Sequence, residues 1–237
     1  MEVNLLAIDS SGLVASVAVL SGGIIMAEYT VNYKKTHSQT LLPMIEEIKR
    51  MTELDLGCLD AIAISSGPGS FTGLRIGAAT AKGLGLALNI PLVAVPTLEG
   101  LAYNLCHTGA LVCPLMDARR NQVYTGVYSF EGGVFNTVKN QCATDIEDII
   151  TFLNAEGRKV IFLGDGVPVY RDVITEKTKT EYEFAPPHLA YQRAGALCKR
   201  AEELYEKNMT ISPREFAPEY LRLSQAERER MEREKNA

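Results

Sequence analysis

Ser65-Ser66-Gly67-Pro68-Gly69-Ser70-Phe71-Thr72-Gly73-Leu74-Arg75-Ile76-Gly77 is the stretch on which the reading of the fold turns. Residues 59–65 ahead of it, LDAIAIS, form an apolar strand-like run, and residues 74–88 behind it are rich in Ala and Gly and read as a helix. A strand therefore ends at Ser65, the chain turns through three glycines, and a helix begins near Thr72. Glycine supplies positive φ or room for close backbone approach. Pro68 fixes its own φ and brings no N–H, and Thr72 is the candidate N-cap. Gly69 and Gly73 are expected to be constrained, at least one of them with positive φ. A glycine turn feeding a helix N-terminus can hold an anion. No Gly-Lys-Ser/Thr follows, and the spacing is not Gly-x-Gly-x-x-Gly, so neither common nucleotide motif is present. On the Gly/Pro pattern alone, a plain tight connection is the favoured reading and an anion loop the alternative.

Outward from this turn the elements run in order. Residues 3–8 form an apolar strand ending in Asp9-Ser10-Ser11-Gly12; 13–20 and 24–31 are strands around a Ser21-Gly22-Gly23 hairpin turn. A polar loop over 32–36 leads to a helix over 38–51, with Pro43 expected in or near its first turn. After the glycine turn and its helix come a short strand at 91–95 and a helix from 97 to about 106. The order then restarts. Strands are read at 110–116 (ending in Asp117-Ala118-Arg119), 122–130 and 134–138, then a helix at 145–156 with Thr144 as candidate N-cap. A strand at 159–163 ends in Gly164-Asp165-Gly166; 167–176 is helical, 179–184 mostly extended and 189–206 helical. Each half is strand, strand, strand, helix, strand, Gly turn, helix. This order predicts an α/β, two-lobed chain of duplicated βββαβα units. The expected divisions are 1–108, 109–222, with the 189–206 helix free to pack back on the first lobe, and a charged tail at 223–237 read as a solvated, frayed helix.

Composition bounds the function. The 237 residues suffice for a sizeable core. Five cysteines, an odd number with no C-x-x-C pair, argue against a disulfide framework and for a reducing compartment. No secretory leader is read and no apolar run reaches membrane-spanning length, so a cytoplasmic protein without membrane contact is expected. A net charge of −5 argues against tight autonomous RNA binding.

The duplicated order resembles the actin, sugar-kinase and Hsp70 group, in which nucleotide sits between two such lobes. The run 67–77 more specifically resembles the signature of the bacterial TsaB family, also called YeaZ. Asp9-Ser10-Ser11, the run 37–43 (HSQTLLP), Ala81-Lys82-Gly83-Leu84, residues 91–101, Asp117-Ala118-Arg119 and Pro218-Glu219-Tyr220-Leu221-Arg222 match it too. The resemblance implies the same fold and a non-catalytic scaffold in making threonylcarbamoyladenosine on tRNA. The implied partners are a catalytic TsaD subunit, the small ATPase TsaE, a second copy when alone, and tRNA only within the complex. It implies no cofactor. The two first-lobe helices would supply the contact, through His37, Leu41, Leu42, Ile45, Arg75, Ala78, Ala79 and Lys82. Adjacent Leu41 and Leu42 point about 100° apart on a helix, so both in one core would need a broad stripe. The small residues of the second helix would let a neighbour approach closely.

Three sites remain open on residues alone. Asp9, Ser10, Ser11, Gly67, Pro68, Gly69, Ser70, Thr72 and Gly73 are candidate vestigial phosphate loops, and Asp9-Ser10-Ser11 reads equally as an Asx-type turn. Asp117 is either a Mg-organising carboxylate or a turn cap. TsaD carries His-x-x-x-His after the helix and short strand that follow its glycine turn; here Thr97 and Leu101 stand at those places, and neither can replace an imidazole ligand. No metal site is expected. No Gly-x-Ser-x-Gly stretch marks a nucleophile. The alternative function classes are a nucleotide-binding phosphotransferase of the same fold and a peptidase.

Overall fold

The computed structural model describes residues 3–33 and 36–222; the tail at 223–237 lies outside the described residues. The first sheet is built around β1 (Leu5–Asp9), which pairs antiparallel with β2 (Ala15–Ser21) and parallel with β4 (Ala61–Ser65). With β3 (Ile24–Val31) and β5 (Leu92–Val95) outside them, the order is β3-β2-β1-β4-β5. Parallel strands need cover on both faces, which is why β1 and β4 are apolar at nearly every position. Leu6, Ile8, Ile62 and Ile64 face α1 (His37–Thr52) and α2 (Phe71–Leu88). Their neighbours Leu5, Ala7, Ala61 and Ala63 face α6 (Ala194–Glu206).

The second sheet repeats the order as β10-β9-β6-β7-β8, from β6 (Leu111–Asp117), β7 (Gln122–Glu131), β8 (Val134–Asp145), β9 (Val160–Leu163) and β10 (Tyr182–Phe184). One face carries α4 (Ile146–Glu156) and α5 (Gly166–Lys177) over Leu111, Cys113, Leu115 and Phe162. The other is covered by α3 (Thr97–Ala102), whose Leu98 and Leu101 pack on Val112, Met116 and Tyr128. The result is the two-lobed α/β fold of the actin and sugar-kinase type, with α3 and α6 in contact between the sheets. Arg200 of α6 joins them, its guanidinium 2.7 Å from Glu99 of α3 and 4.4 Å over the ring of Phe135 in β8.

Several local expectations change. The N-cap of α2 is Ser70, not Thr72: the Ser70 hydroxyl accepts the Gly73 N–H at 3.3 Å. Pro43 is the seventh residue of α1, well past the first turn. β8 runs seven residues beyond 138, and Thr144 lies within it rather than capping α4. α6 begins at Ala194, not 189. Asn104 holds the Leu189 and Tyr191 carbonyls in a turn, while the Ser16 hydroxyl and the Glu28 carboxylate take the N–H groups of Ala194 and Gly195. Those acceptors satisfy the orphan donors of the helix start and so fix where it begins.

Candidate functional site: the interlobe cavity and the first-lobe helices

A cavity of about 600 Å³ opens where the first strands of the two sheets end. The first lobe contributes Ser11, His37 and the turn 68–72; the second contributes Asp117, Arg119, Tyr124 and Asp165; and Tyr220, Leu221 and Arg222 close in from the C-terminal segment. Of the phosphate-loop candidates, Ser11, Pro68, Gly69, Ser70 and Thr72 line it, while Asp9, Ser10, Gly67 and Gly73 lie behind the wall.

The wall is held by backbone proximity. Positive φ falls at Gly67, at 115°, and at neither Gly69 nor Gly73, against expectation. Those two are glycine for another reason: a Cβ on Gly69 would overlap the Ser11 carbonyl oxygen, and one on Gly73 the Ser10 carbonyl oxygen. The second lobe uses the same device, since Gly164 sits at φ 104° and a Cβ there would overlap the Leu115 carbonyl.

Asp9 is fully buried. Its Oδ1 accepts the Ser11 N–H at 2.9 Å and the Ser11 hydroxyl at 2.7 Å. This is the Asx-type turn; the carboxylate faces its own loop, not the cavity. Burial pushes the carboxyl above the usual range, and the hydrogen bonds from Ser11 oppose that shift. Three of the glycine turn's N–H donors are already paired within the protein. Ser70 N–H donates to the Ser11 carbonyl at 2.6 Å, Gly73 N–H to Ser70, and Gly67 N–H to the Thr97 hydroxyl at 3.1 Å. Thr97 N–H returns a bond to the Gly67 carbonyl at 2.9 Å. Thr97 thus pins the turn, and Leu101 is buried in the cluster between α3 and the second sheet. Among the described residues no three His, Cys, Asp or Glu side chains gather as metal ligands.

On the second-lobe side, Asp117 caps its own turn by accepting the Arg119 N–H at 2.8 Å, and it receives the Tyr170 hydroxyl at 3.2 Å. Asp165 accepts the Asp117 N–H at 3.1 Å. Burial raises the Asp165 carboxyl, and the nearby Asp117 carboxylate adds to the shift. Burial and Asp117 push the Tyr170 hydroxyl up to about 12. Asp165, Tyr124 and Arg222 were not singled out as site residues in the sequence. The signal for Asp165 was its place in the glycine turn that mirrors 67–69.

The residues read as a partner surface divide by burial. His37 is 8% exposed, and its Nε2 lies 2.8 Å from the Gly12 carbonyl. Leu41 (1%), Ile45 (6%) and Ala78 (6%) belong to the first-lobe core, so their expected place in a partner contact is corrected. Leu42 is 56% exposed. Arg75 and Ala79 are exposed on the neighbouring α2. The half-buried Lys82 ammonium donates to the Phe216 carbonyl at 2.8 Å, which turns it toward its own chain.

The family model described as "TsaD: tRNA N6-adenosine threonylcarbamoyltransferase" matches residues 24–230. The tRNA threonylcarbamoyladenosine biosynthesis protein TsaB of Bacillus subtilis is 32% identical, over 98% of this chain and 100% of its own length. The TsaB protein of Haemophilus influenzae is 33% identical over 93% and 94%. Among solved structures, YeaZ from Pseudomonas aeruginosa superposes with a TM-score of 0.80 at 28% identity, covering 92% of this chain and all of that one. With identity of this level running the full length of a TsaB protein, and the same strand order in both lobes, the chain belongs to the TsaB (YeaZ) family.

Proposed function

We propose that the chain acts in tRNA threonylcarbamoyladenosine biosynthesis as a non-catalytic scaffold in the cytoplasm. It pairs with a TsaD-like subunit that performs the threonylcarbamoyl transfer. A TsaE-like ATPase joins them, tRNA is met only within that assembly, and the chain pairs with itself when alone. The observation that carries this reading is the fate of Thr97 and Leu101. One is committed to holding the glycine turn and the other is core, so the positions where a catalytic relative keeps paired histidines are structural here. The purified chain, given the adenylate donor and tRNA, should form no modified nucleoside, and should support its formation when TsaD and TsaE are added. Activity of the chain alone would defeat the proposal.

The partner surface on this reading is the outer side of α1 and α2 around Leu42, Arg75 and Ala79. Leu42→Glu should leave the fold intact and abolish both self-association, read by sedimentation, and co-purification with TsaD. Retention of both by a folded variant would move the surface elsewhere. Leu41→Glu is no substitute test, because it buries a charge in the core.

One observation favours a second reading, a nucleotide-binding phosphotransferase: the cavity has the volume for a small ligand and two carboxylates, Asp117 and Asp165, on its wall. Mg²⁺-dependent nucleotide binding by the isolated chain would select it.

A further inference from the structure

The segment after α6 returns across the first lobe and ends on the second. Ile211 pairs with Leu92 through two backbone bonds of 2.9 Å, extending the edge of the first sheet at β5. Lys82 holds the carbonyls of Arg214 and Phe216, and Phe216 is buried in the first-lobe core. Glu219 N–H donates to the Ser66 carbonyl at 2.7 Å, and the Tyr220 ring lies 4.6 Å from that of Phe71 at the start of α2. Up to this point nearly every anchor lies in the first lobe. The second lobe is then reached twice: the Arg222 Nη1 donates to the Ala118 carbonyl at 2.5 Å, and Gln141 Nε2 donates to Glu219 at 3.0 Å. Tyr220, Leu221 and Arg222 are themselves wall of the cavity.

We propose that residues 211–222 form a clasp, a strap built into the first lobe whose terminal Arg222–Ala118 contact draws the second lobe onto the glycine turn and sets how far the cavity opens. The asymmetry of the anchoring supports this. Main-chain bonds and a buried phenylalanine hold the strap to one lobe, whereas among the described residues two side-chain bonds at its end hold the other. Such bonds, at partly exposed residues, are the ones that open first in local fluctuations. On the other side, α3, α6 and the Arg200–Glu99 pair bind the lobes through buried contacts, leaving the strap as the releasable side. The clasp does not depend on the scaffold reading; it would gate the cavity equally in a nucleotide-binding protein.

The test is hydrogen exchange, followed by mass spectrometry, on the full chain and on Arg222→Ala, Arg222→Lys and Gln141→Ala. Loss of the Arg222 bond should speed exchange about tenfold in both 66–73 and 116–122, the expected scale for one charge-assisted hydrogen bond. The far end of α4, residues 150–156, which shares no hydrogen bond with the strap, should be unchanged. Gln141→Ala should raise the same two segments by less, and Arg222→Lys, which keeps a donor, should return them toward the parent rates. Faster exchange confined to 217–222, no change at all, or a rise that includes residues 150–156 would each overturn the clasp. If Arg222→Ala does not fold, the other two variants decide by the same criteria.

Discussion

Gly73→Ala isolates what the glycine turn is for. Gly73 lies in the first turn of α2 without a positive φ, so a helix interior by itself would gain about 1 kcal/mol from alanine. The fold opposes this, because the new Cβ would overlap the Ser10 carbonyl oxygen and lie 3.2 Å from the His37 ring. A backbone oxygen in a buried loop cannot swing aside as a side-chain tip can, so the upper end of the overpacking range, about 3 kcal/mol, applies. The net expectation is a loss of about 2 kcal/mol, or roughly 4–8 °C in Tm for a chain of this size. Gly83 provides the control on the same helix, since a Cβ there meets nothing within 4 Å. Gly83→Ala should gain about 1 kcal/mol. Urea unfolding at low protein concentration, with m-values compared, measures both without a contribution from self-association. If Gly73→Ala is as stable as the parent, close approach of β1's loop to α2 is not what excludes side chains there.

Thr97→Val keeps the shape but leaves the buried Gly67 N–H without its acceptor, so it should cost about 1–3 kcal/mol in a thermal melt, with Thr97→Ser largely spared. A neutral Thr97→Val would remove the pinning role. Asp9→Asn keeps an oxygen for the Ser11 donors and removes a carboxylate that burial disfavours. Because the folded carboxyl is raised above its unfolded value, wild-type stability is favoured below the ordinary aspartate range and lost as pH rises through the folded value. The variant should therefore gain on the parent at pH 8 and lose that advantage near pH 3; equal melts at both would contradict the burial argument. Arg200→Ala strands Glu99 and Glu203 without their shared cation and should cost about 3 kcal/mol or more by chemical denaturation.

The strand order and the glycine turn were legible because they rest on local signals: apolar runs of four to eight residues and glycines at the strand ends. What escaped was decided by distant partners. The start of α6 is set by Glu28 and Ser16, more than 160 residues away in the chain, and no local pattern separates Leu189 from Ala194 as a helix start. The seven extra residues of β8 are mostly polar and extend because β7 lies beside them. Gly67 rather than Gly69 takes the positive φ, and the strap's Glu219 carbonyl, distant in the chain, occupies the space a side chain there would need. In the site, the TsaB-like motifs located the turns correctly. Which side chains enter the cavity depended on a few backbone contacts between loops, and a sequence does not display those.

The placement of α6 also bears on synthesis. One face of the first sheet, with Val3, Leu5, Ala7, Ala61 and Val93, is covered by Ala194, Leu197, Cys198, Ala201 and Leu204. The ribosome makes those strands well before that helix. Until the helix emerges, the strands carry a bare apolar face, a surface suited to aggregation or to a chaperone. A fragment ending between the lobes would keep that face permanently uncovered. Residues 194–204 thus complete the core of strands made long before them, and a premature stop ahead of Ala194 would leave those strands uncovered.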